Sequence, residues 1–433
     1  MISQLRPFSP SHQNSLPGED DITRVELPNG IVVLVRSNFN SPSIVLNGYI
    51  QVGSLFDPPE KLGLASFTAS SLLLGTRAFD YNTIYDLLES AAASLSFEGG
   101  THITSFVGRS LVEDFDMLCK IFAAALKEPT FPSEHVERKR AQLLTGLILR
   151  SQDTAEMASL TFDEIVYAHH PYRFPEEGTI ETVQQITLED LVNFHHRHYG
   201  PRGMVIVVVG AIEPSNAIAI ISEHLAEWQN PEQPLPPELP PLQPLTETVQ
   251  RKVFIPGKSQ VDLLVGSVGP QRNAPEYMSA AIGNNILGQF GLMGRIGDAV
   301  RERAGLAYYA YSSLSSGIGP GSWTVAAGVA PENVERAIAI IRQEIQRFVQ
   351  EKVSEEELSD SQANFIGRLP LSLESNLGVA YALGNLERYG LGLNYYRQYA
   401  DLVRSVTREQ ILETAQKYLD PDRLAIAIAG SLE

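Results

Sequence analysis

The sequence predicts an α+β fold of two homologous domains, each a mixed β-sheet packed with helices. Three observations support this prediction. A proline-rich segment divides the chain, a matched helix–strand unit recurs at the end of both halves, and each half opens with strands before its long helices.

The boundary lies at 231–246, because seven of the 27 prolines fall within residues 231–244. Such a run cannot continue a helix or form a central strand, so we expect an extended connector. The predicted organisation is a flexible N-terminal arm (1–20), a first domain (21–230), this linker, and a second domain (247–433).

The repeated unit comprises Ile186–Ile212 and Val406–Leu432, which are related by a constant offset of 220 residues. Each copy has a Thr suited to cap a helix, an amphipathic helix, a Pro turn, and an apolar strand ending in Gly. The matched pairs are Thr187 and Thr407, Glu189 and Glu409, Pro201 and Pro421, and Gly210 and Gly430.

The remaining elements follow the same plan in both halves. Ile22–Arg36 has a Pro-Asn-Gly turn between two alternating runs, which predicts a hairpin, and residues 44–52 continue the sheet. Residues 252–255 and 260–266 are the matching strands of the second half. The predicted long helices are 111–127, 133–150, 332–350 and 354–365.

Composition excludes several classes of function. The 433 residues are 43% hydrophobic and carry a net charge of −18, so the chain can bury a core and its surface repels nucleic-acid phosphates. No run of about 18 apolar residues is available to span a membrane. Cys119 is the only cysteine, which rules out an intramolecular disulfide. A cytoplasmic location is expected.

Gly63–Thr76, with the sequence GLASFTASSLLLGT, predicts a helix. With the strand before it and the two-lobed plan around it, this segment resembles the zinc-site segment of the pitrilysin/insulinase metallopeptidases, most closely their processing-peptidase branch. The resemblance extends over nearly the whole chain and includes residues 170–178 and 186–212. It implies that the two domains form half of a clamshell.

The chain departs from this family at the zinc site. In the matching frame the two His of the family's His-x-x-Glu-His motif fall on Ser66 and Ser70, and the Glu falls on Ala69. The third ligand falls near Gly146 and a supporting acid near Lys139. A catalytic zinc needs about three protein ligands and a general base, which these residues do not supply. The resemblance therefore implies no metal on this chain.

Arg301 and Tyr308 match the family's Arg-x6-Tyr pair in residue type and spacing. The resemblance implies that they reach a zinc site and hold the substrate peptide, where both could stabilise an oxyanion. The alternative is structural, with Arg301 as a helix-end cation and Tyr308 as a half-buried strand residue.

Gly288, Gly291 and Gly294 precede this pair. Zinc-free subunits of the processing-peptidase branch carry a longer glycine-rich loop at this place, which makes a substrate loop possible. The alternative is a tight turn with close backbone packing.

Other candidate ligands favour structural roles. His195, His196 and His198 lie at a helix end, where cations interact favourably with the helix dipole. Cys119 lies on the apolar face of a helix and is expected in the core.

Two hypotheses of function remain. In the first, the chain is the zinc-free subunit of a heterodimeric zinc peptidase acting on short or unfolded peptides, and a homologous zinc-bearing subunit is its partner. In the second, it is a non-catalytic scaffold, like the similar core subunits of respiratory bc-type complexes, or a peptide-binding protein of the same fold. In isolation it could form a homodimer.

Overall fold

The structure is a computed structural model that describes residues 16–292 and 294–431. Within these residues the strands are β1 (Thr23–Glu26), β2 (Val32–Ser37), β3 (Ser43–Ile50), β4 (Ser94–Gly99), β5 (Thr104–Leu111), β6 (Val205–Gly210), β7 (Val249–Phe254), β8 (Val261–Gly269), β9 (Ala307–Ser315), β10 (Gly321–Val329) and β11 (Ala425–Gly430).

The α-helices are α1 (Leu64–Ser71), α2 (Tyr81–Ser90), α3 (Phe115–Lys127), α4 (Ser133–Arg150), α5 (Thr154–Val166), α6 (Ile180–Gln185), α7 (Leu188–His198), α8 (Pro214–Leu225), α9 (Tyr277–Gly288), α10 (Val334–Gln350), α11 (Glu355–Ser372), α12 (Asn376–Arg388), α13 (Tyr395–Arg404) and α14 (Arg408–Tyr418). A helical turn at Gly294–Ile296 continues as a π-helical segment, Gly297–Arg303.

The chain forms two compact units, each built from three stretches of sequence. The first unit contains described residues 16–143 together with Glu176–Pro237 and Leu369–Ala400. The second contains Leu144–Pro175, Glu238–Arg368 and residues 401–431.

The first unit is built on a six-stranded sheet in the order β1-β2-β6-β3-β5-β4. β2 and β6 are parallel, and the other neighbours are antiparallel. Every residue of β6 is buried, which requires cover on both faces of the sheet. Helix α12 packs on β3 and β6, and its Leu383 joins Leu34 and Val207 in the core.

The second unit is built on a five-stranded sheet in the order β7-β11-β8-β10-β9. β7 and β11 are parallel, and the other pairs are antiparallel. Helix α5 packs on β8 and β11, where Phe162 and Ile165 meet Ala425 and Ala427. Apart from β1, this topology repeats that of the first sheet, which confirms the predicted α+β fold and the duplication.

The repeated helix–strand unit has the predicted form in both copies. Thr187 and Thr407 cap α7 and α14, and each forms a reciprocal capping box with the residue three positions later. The strands that follow, β6 and β11, are both buried at every position.

The compact units differ from the contiguous domains expected from sequence. The segment containing α5 belongs to the second unit, and the segment containing α12 belongs to the first. The two helices correspond in the duplication, since adding 220 to Thr154–Val166 gives 374–386, which overlaps α12. Each half of the sequence therefore supplies a helix to the sheet of the other half.

The predicted linker, all of which is described, contains neither helix nor strand, and one of the points at which the chain passes between the units lies within it, after Pro237. Residues 1–15 of the predicted arm lie outside the described part. The end of that arm is held in place rather than flexible, because Leu16 is buried and its carbonyl accepts a hydrogen bond from Arg397. No described helix has the length and apolar character needed to cross a bilayer.

Candidate functional site

Helix α1 carries the three positions that the family frame assigns to zinc binding and catalysis. Ser66 and Ser70 are one helical turn apart and partly exposed, whereas Ala69 is buried. The Ser70 hydroxyl donates a hydrogen bond to the carbonyl of Phe67 at 3.1 Å. The helix is shorter than the predicted segment Gly63–Thr76, since it ends at Ser71.

A partly buried carboxyl group caps the start of α1. Asp57 accepts hydrogen bonds from the backbone N–H groups of Gly63 and Ala65, both at 2.8 Å. Burial raises the pKa of Asp57 to about 7, although these N–H groups act in the opposite direction. Asp57 therefore serves as a helix cap from a preceding loop, a role that no local sequence pattern predicts because the contact spans six to eight residues.

A cation lies beside α1 as well. The guanidinium of Arg140 on α4 lies over the ring of Phe67, 5.2 Å from its centroid, and donates to the carbonyl of Val183 at 2.6 Å. Its charge is paired with Glu137 at 3.0 Å. Arg140 therefore packs on Phe67 of α1 as part of an ion pair.

The other two positions of the frame lie along α4. Lys139 is partly exposed. Gly146 is exposed, and a Cβ atom added to it would contact no other atom. Gly146 falls in the second compact unit, whereas Ser66, Ala69, Ser70 and Lys139 belong to the first.

The residues present do not fit a zinc ion. Ser66, Ser70 and Gly146 provide neither imidazole nor carboxylate, and Ala69 cannot act as a base. Over the described residues, no cluster of three or more His, Cys, Asp or Glu side chains could hold a metal.

Arg301 lies in the π-helical segment, near its end. Its side chain is 39% exposed, and its guanidinium lies 3.5 Å from the Glu302 carboxylate. Gly305, with φ of +63°, closes the segment by donating its N–H to the Arg301 carbonyl at 3.1 Å. The segment packs against β9, which brings Arg301 and Tyr308 onto adjoining elements of one unit.

Tyr308 occupies a β-bulge in the edge strand β9. Ala307 pairs with Val329 and Tyr309 with Gly328, so Tyr308 is the extra residue between two regular pairs. Regular alternation would place it on the face of Ala310 and Ser312, which are buried, yet its side chain is 85% exposed. Tyr308 is therefore not the half-buried strand residue of the structural alternative.

The three glycines lie where α9 turns into the helical turn at Gly294–Ile296. A Cβ on Gly288 would lie 2.2 Å from the Ser312 nitrogen, so the close approach of α9 to β9 requires a glycine here. Gly291 and Gly294 have φ near +60°, which the turn requires. Packing and turn geometry account for all three, and contact with substrate stays a prediction.

His195 and His198 are structural, though not as charged helix ends, whereas His196 is exposed. His195 Nε2 lies 2.8 Å from the carbonyl of Leu126, and burial lowers the pKa of both His195 and His198 to about 4. These two rings are neutral at physiological pH. Cys119 is buried, as expected.

Comparison with known proteins places this geometry in a family. The family model described as "Insulinase (Peptidase family M16)" matches residues 32–165, and the model "Peptidase M16 inactive domain" matches residues 185–365. An uncharacterized zinc protease of Streptomyces coelicolor is 22% identical over 86% of this chain and 81% of its own length.

A protein named "Non-peptidase homolog YmxG" from Helicobacter pylori is 24% identical over 97% of this chain and 95% of its own length. A solved structure described as a peptidase M16 inactive domain from Pseudomonas fluorescens aligns with a TM-score of 0.86 and 26% identity, covering 95% of this chain and 99% of that one. The chain therefore belongs to the M16, or insulinase, peptidase family.

Proposed function

We propose that this protein is the zinc-free subunit of a heterodimeric M16 peptidase and supplies Arg301 and Tyr308 to an active site on its partner. The partner would be a homologous chain with an intact His-x-x-Glu-His motif. The substrates would be short or unfolded peptides, and a cytoplasmic setting fits the acidic composition and the single cysteine.

The observation that carries the proposal is the 85% exposure of Tyr308 at a bulge in an edge strand. Bulges re-aim side chains and are common beside active sites. Tyr308 is exposed and Arg301 is partly exposed on adjoining elements of the second unit, so burial in the core does not explain either side chain.

The chemistry of the pair supports the same conclusion. When water attacks a peptide carbonyl, negative charge develops on the former carbonyl oxygen. A tyrosine hydroxyl and a guanidinium can each donate a hydrogen bond to that oxygen, and one well-placed donor is worth about 2.7–4 kcal/mol. This chain has no metal ligands or general base at the frame positions, so the metal and the attacking water must come from the partner.

The test begins with the purified chain alone, which we expect to hold no stoichiometric zinc and to cleave no peptide. Mixed with the homologue from the same genome that carries His-x-x-Glu-His, it should give cleavage of an unstructured, internally quenched peptide. Arg301→Lys and Tyr308→Phe should each lower turnover by about a hundredfold while the partner's zinc content stays unchanged.

Tyr311→Phe is the matched control, since it removes a hydroxyl from an exposed tyrosine of the same strand. Chelator-sensitive cleavage by the isolated chain, with zinc near one per molecule, would refute the zinc-free assignment. Full turnover in both the Arg301 and Tyr308 variants would refute the assigned role and leave the scaffold hypothesis.

A further inference from the structure

Three residues align across the second sheet next to the Tyr308 bulge. Gly328 on β10 pairs with Asp262 on β8 and with Tyr309 on β9, so all three side-chain positions point to one face. The Tyr309 hydroxyl donates a hydrogen bond to the Asp262 carboxylate, which places the tyrosine ring across the intervening strand.

Gly328 makes this crossing possible. A Cβ at this position would lie 2.6 Å from Cε1 of Tyr309 and 2.6 Å from Nε2 of Gln260. Real Cβ atoms do not approach other atoms so closely, so any larger residue would displace the ring. The glycine is required here for space rather than for its backbone conformation.

Asp262, which accepts the hydrogen bond from Tyr309, is itself held by other contacts. It is 3% exposed, and besides Tyr309 it accepts hydrogen bonds from Thr154, the first residue of α5, and from Gln260 at 3.0 Å. A buried carboxylate with several donors is held firmly, because losing any of them leaves part of a charge unpaired. Burial, followed by the nearby Asp262 carboxylate, raises the pKa of Tyr309, so its hydroxyl remains a donor at physiological pH.

The backbone that precedes the bulge is also held, at Leu306. Leu306 is buried and donates its N–H to the carbonyl of Val300 at 3.1 Å. The stretch between Leu306 and Tyr309 is thus anchored at both ends, and Tyr308 is its exposed residue.

We infer that Asp262, acting through the Tyr309 hydroxyl, is a positioning residue that holds the β9 bulge so that Tyr308 projects into solvent. This inference rests on the proposed function, because only there is Tyr308 given the role of binding substrate. The positioning itself is a property of the isolated chain and can be measured without a partner.

The first arm of the experiment is hydrogen–deuterium exchange of the full chain at the amides of 307–310. Tyr309→Phe removes only the donor, and we expect exchange in this stretch to accelerate by about tenfold or more. Asp262→Asn removes the charge and one acceptor oxygen and should act in the same direction. Tyr311→Phe should leave exchange within about twofold of wild type. Unchanged exchange in Tyr309→Phe would overturn the inference.

Gly328→Ala tests the same contact without removing either hydrogen-bonding group. Gly328→Ala keeps the donor and the acceptor but pushes the ring away, so it should accelerate exchange at the same amides. If Gly328→Ala and Tyr309→Phe both leave these amides protected, the Tyr309 contact does not hold the bulge.

The second arm measures turnover of the quenched peptide by the complex with the zinc-bearing homologue. Tyr309→Phe should lower kcat, and the double variant Tyr308→Phe/Tyr309→Phe should lose no more than Tyr308→Phe alone. Additive losses would overturn the inference, since Tyr309 would then act independently of Tyr308. Faster exchange combined with full turnover in Tyr308→Phe would instead refute the proposed function and retain the positioning.

Discussion

At the scale of single residues, the proposed role rests on a contrast between the α1 positions and the pair Arg301 and Tyr308. Ser66, Ala69 and Ser70 remove the imidazoles and the base that the family frame places on α1. Asp57, which remains beside that helix, is used as a cap and not as a ligand. Arg301 and Tyr308, the pair that we propose binds substrate, are both accessible.

Asp57 gives a prediction about pH. Its pKa in the folded protein, about 7, lies above its ordinary value of 3.8. Between these values the folded chain binds more protons than the unfolded chain, so the free energy of unfolding falls as pH rises. The contribution amounts to roughly 4 kcal/mol at most.

We therefore expect Asp57→Asn, which has no ionisable proton to lose, to gain stability relative to wild type as pH rises from 4.5 to 8. Urea unfolding of both proteins at several pH values measures the difference. Asp80→Asn is the control, because the Thr83 backbone N–H lowers the pKa of Asp80 and its contribution is lost only below about pH 4. A difference between Asp57→Asn and wild type that stays flat over this range would contradict the prediction.

At the scale of elements, local signals determined most of what forms. The capping boxes at Thr187 and Thr407 mark the start of α7 and α14 in both copies of the repeat. The bulge in β9 was not foreseen, because it depends on how β9 pairs with β10 and on the space that Gly328 leaves.

The capping boxes give a matched pair of predictions. Thr187→Ala and Thr407→Ala each remove the hydroxyl that accepts from the backbone N–H three residues later, and each should cost about 1 kcal/mol. Thr187→Ser and Thr407→Ser keep the hydroxyl and should stay near wild type. Urea midpoints measure all four variants, and a Ser variant as unstable as its Ala counterpart would argue against capping as the cause.

At the scale of the whole molecule, each sheet is completed by a helix from the opposite half of the sequence. Leu383 of α12 is fully buried in the core of the first unit, and Phe162 of α5 is 1% exposed in the core of the second. A core substitution in α12 should therefore destabilise the first unit, and one in α5 the second unit, although each helix belongs to the other half of the sequence.

We expect Leu383→Ala to cost about 2–5 kcal/mol and to accelerate amide exchange in β3 and β6 of the first unit. Phe162→Ala should do the same in β8 and β11 of the second unit. The two variants are controls for each other in one exchange experiment on the full chain. Loss of protection in β8 and β11 from Leu383→Ala, with β3 and β6 unaffected, would refute the assignment of α12 to the first unit.

By itself, the sequence determined the α+β class, the duplication, the opening strands and several long helices of each half, the repeated helix–strand unit, and the lack of zinc-ligand residue types at the α1 positions. These follow from local periodicity, caps, turns and residue chemistry, which need no knowledge of distant contacts. Only the tertiary structure decided which sheet each repeated helix covers, that Asp57 caps α1, and that Tyr308 is exposed at a bulge held near Asp262. An apolar helix face shows that a helix must be buried but not against which sheet, and a side chain's exposure at a bulge depends on pairing between strands far apart in the chain.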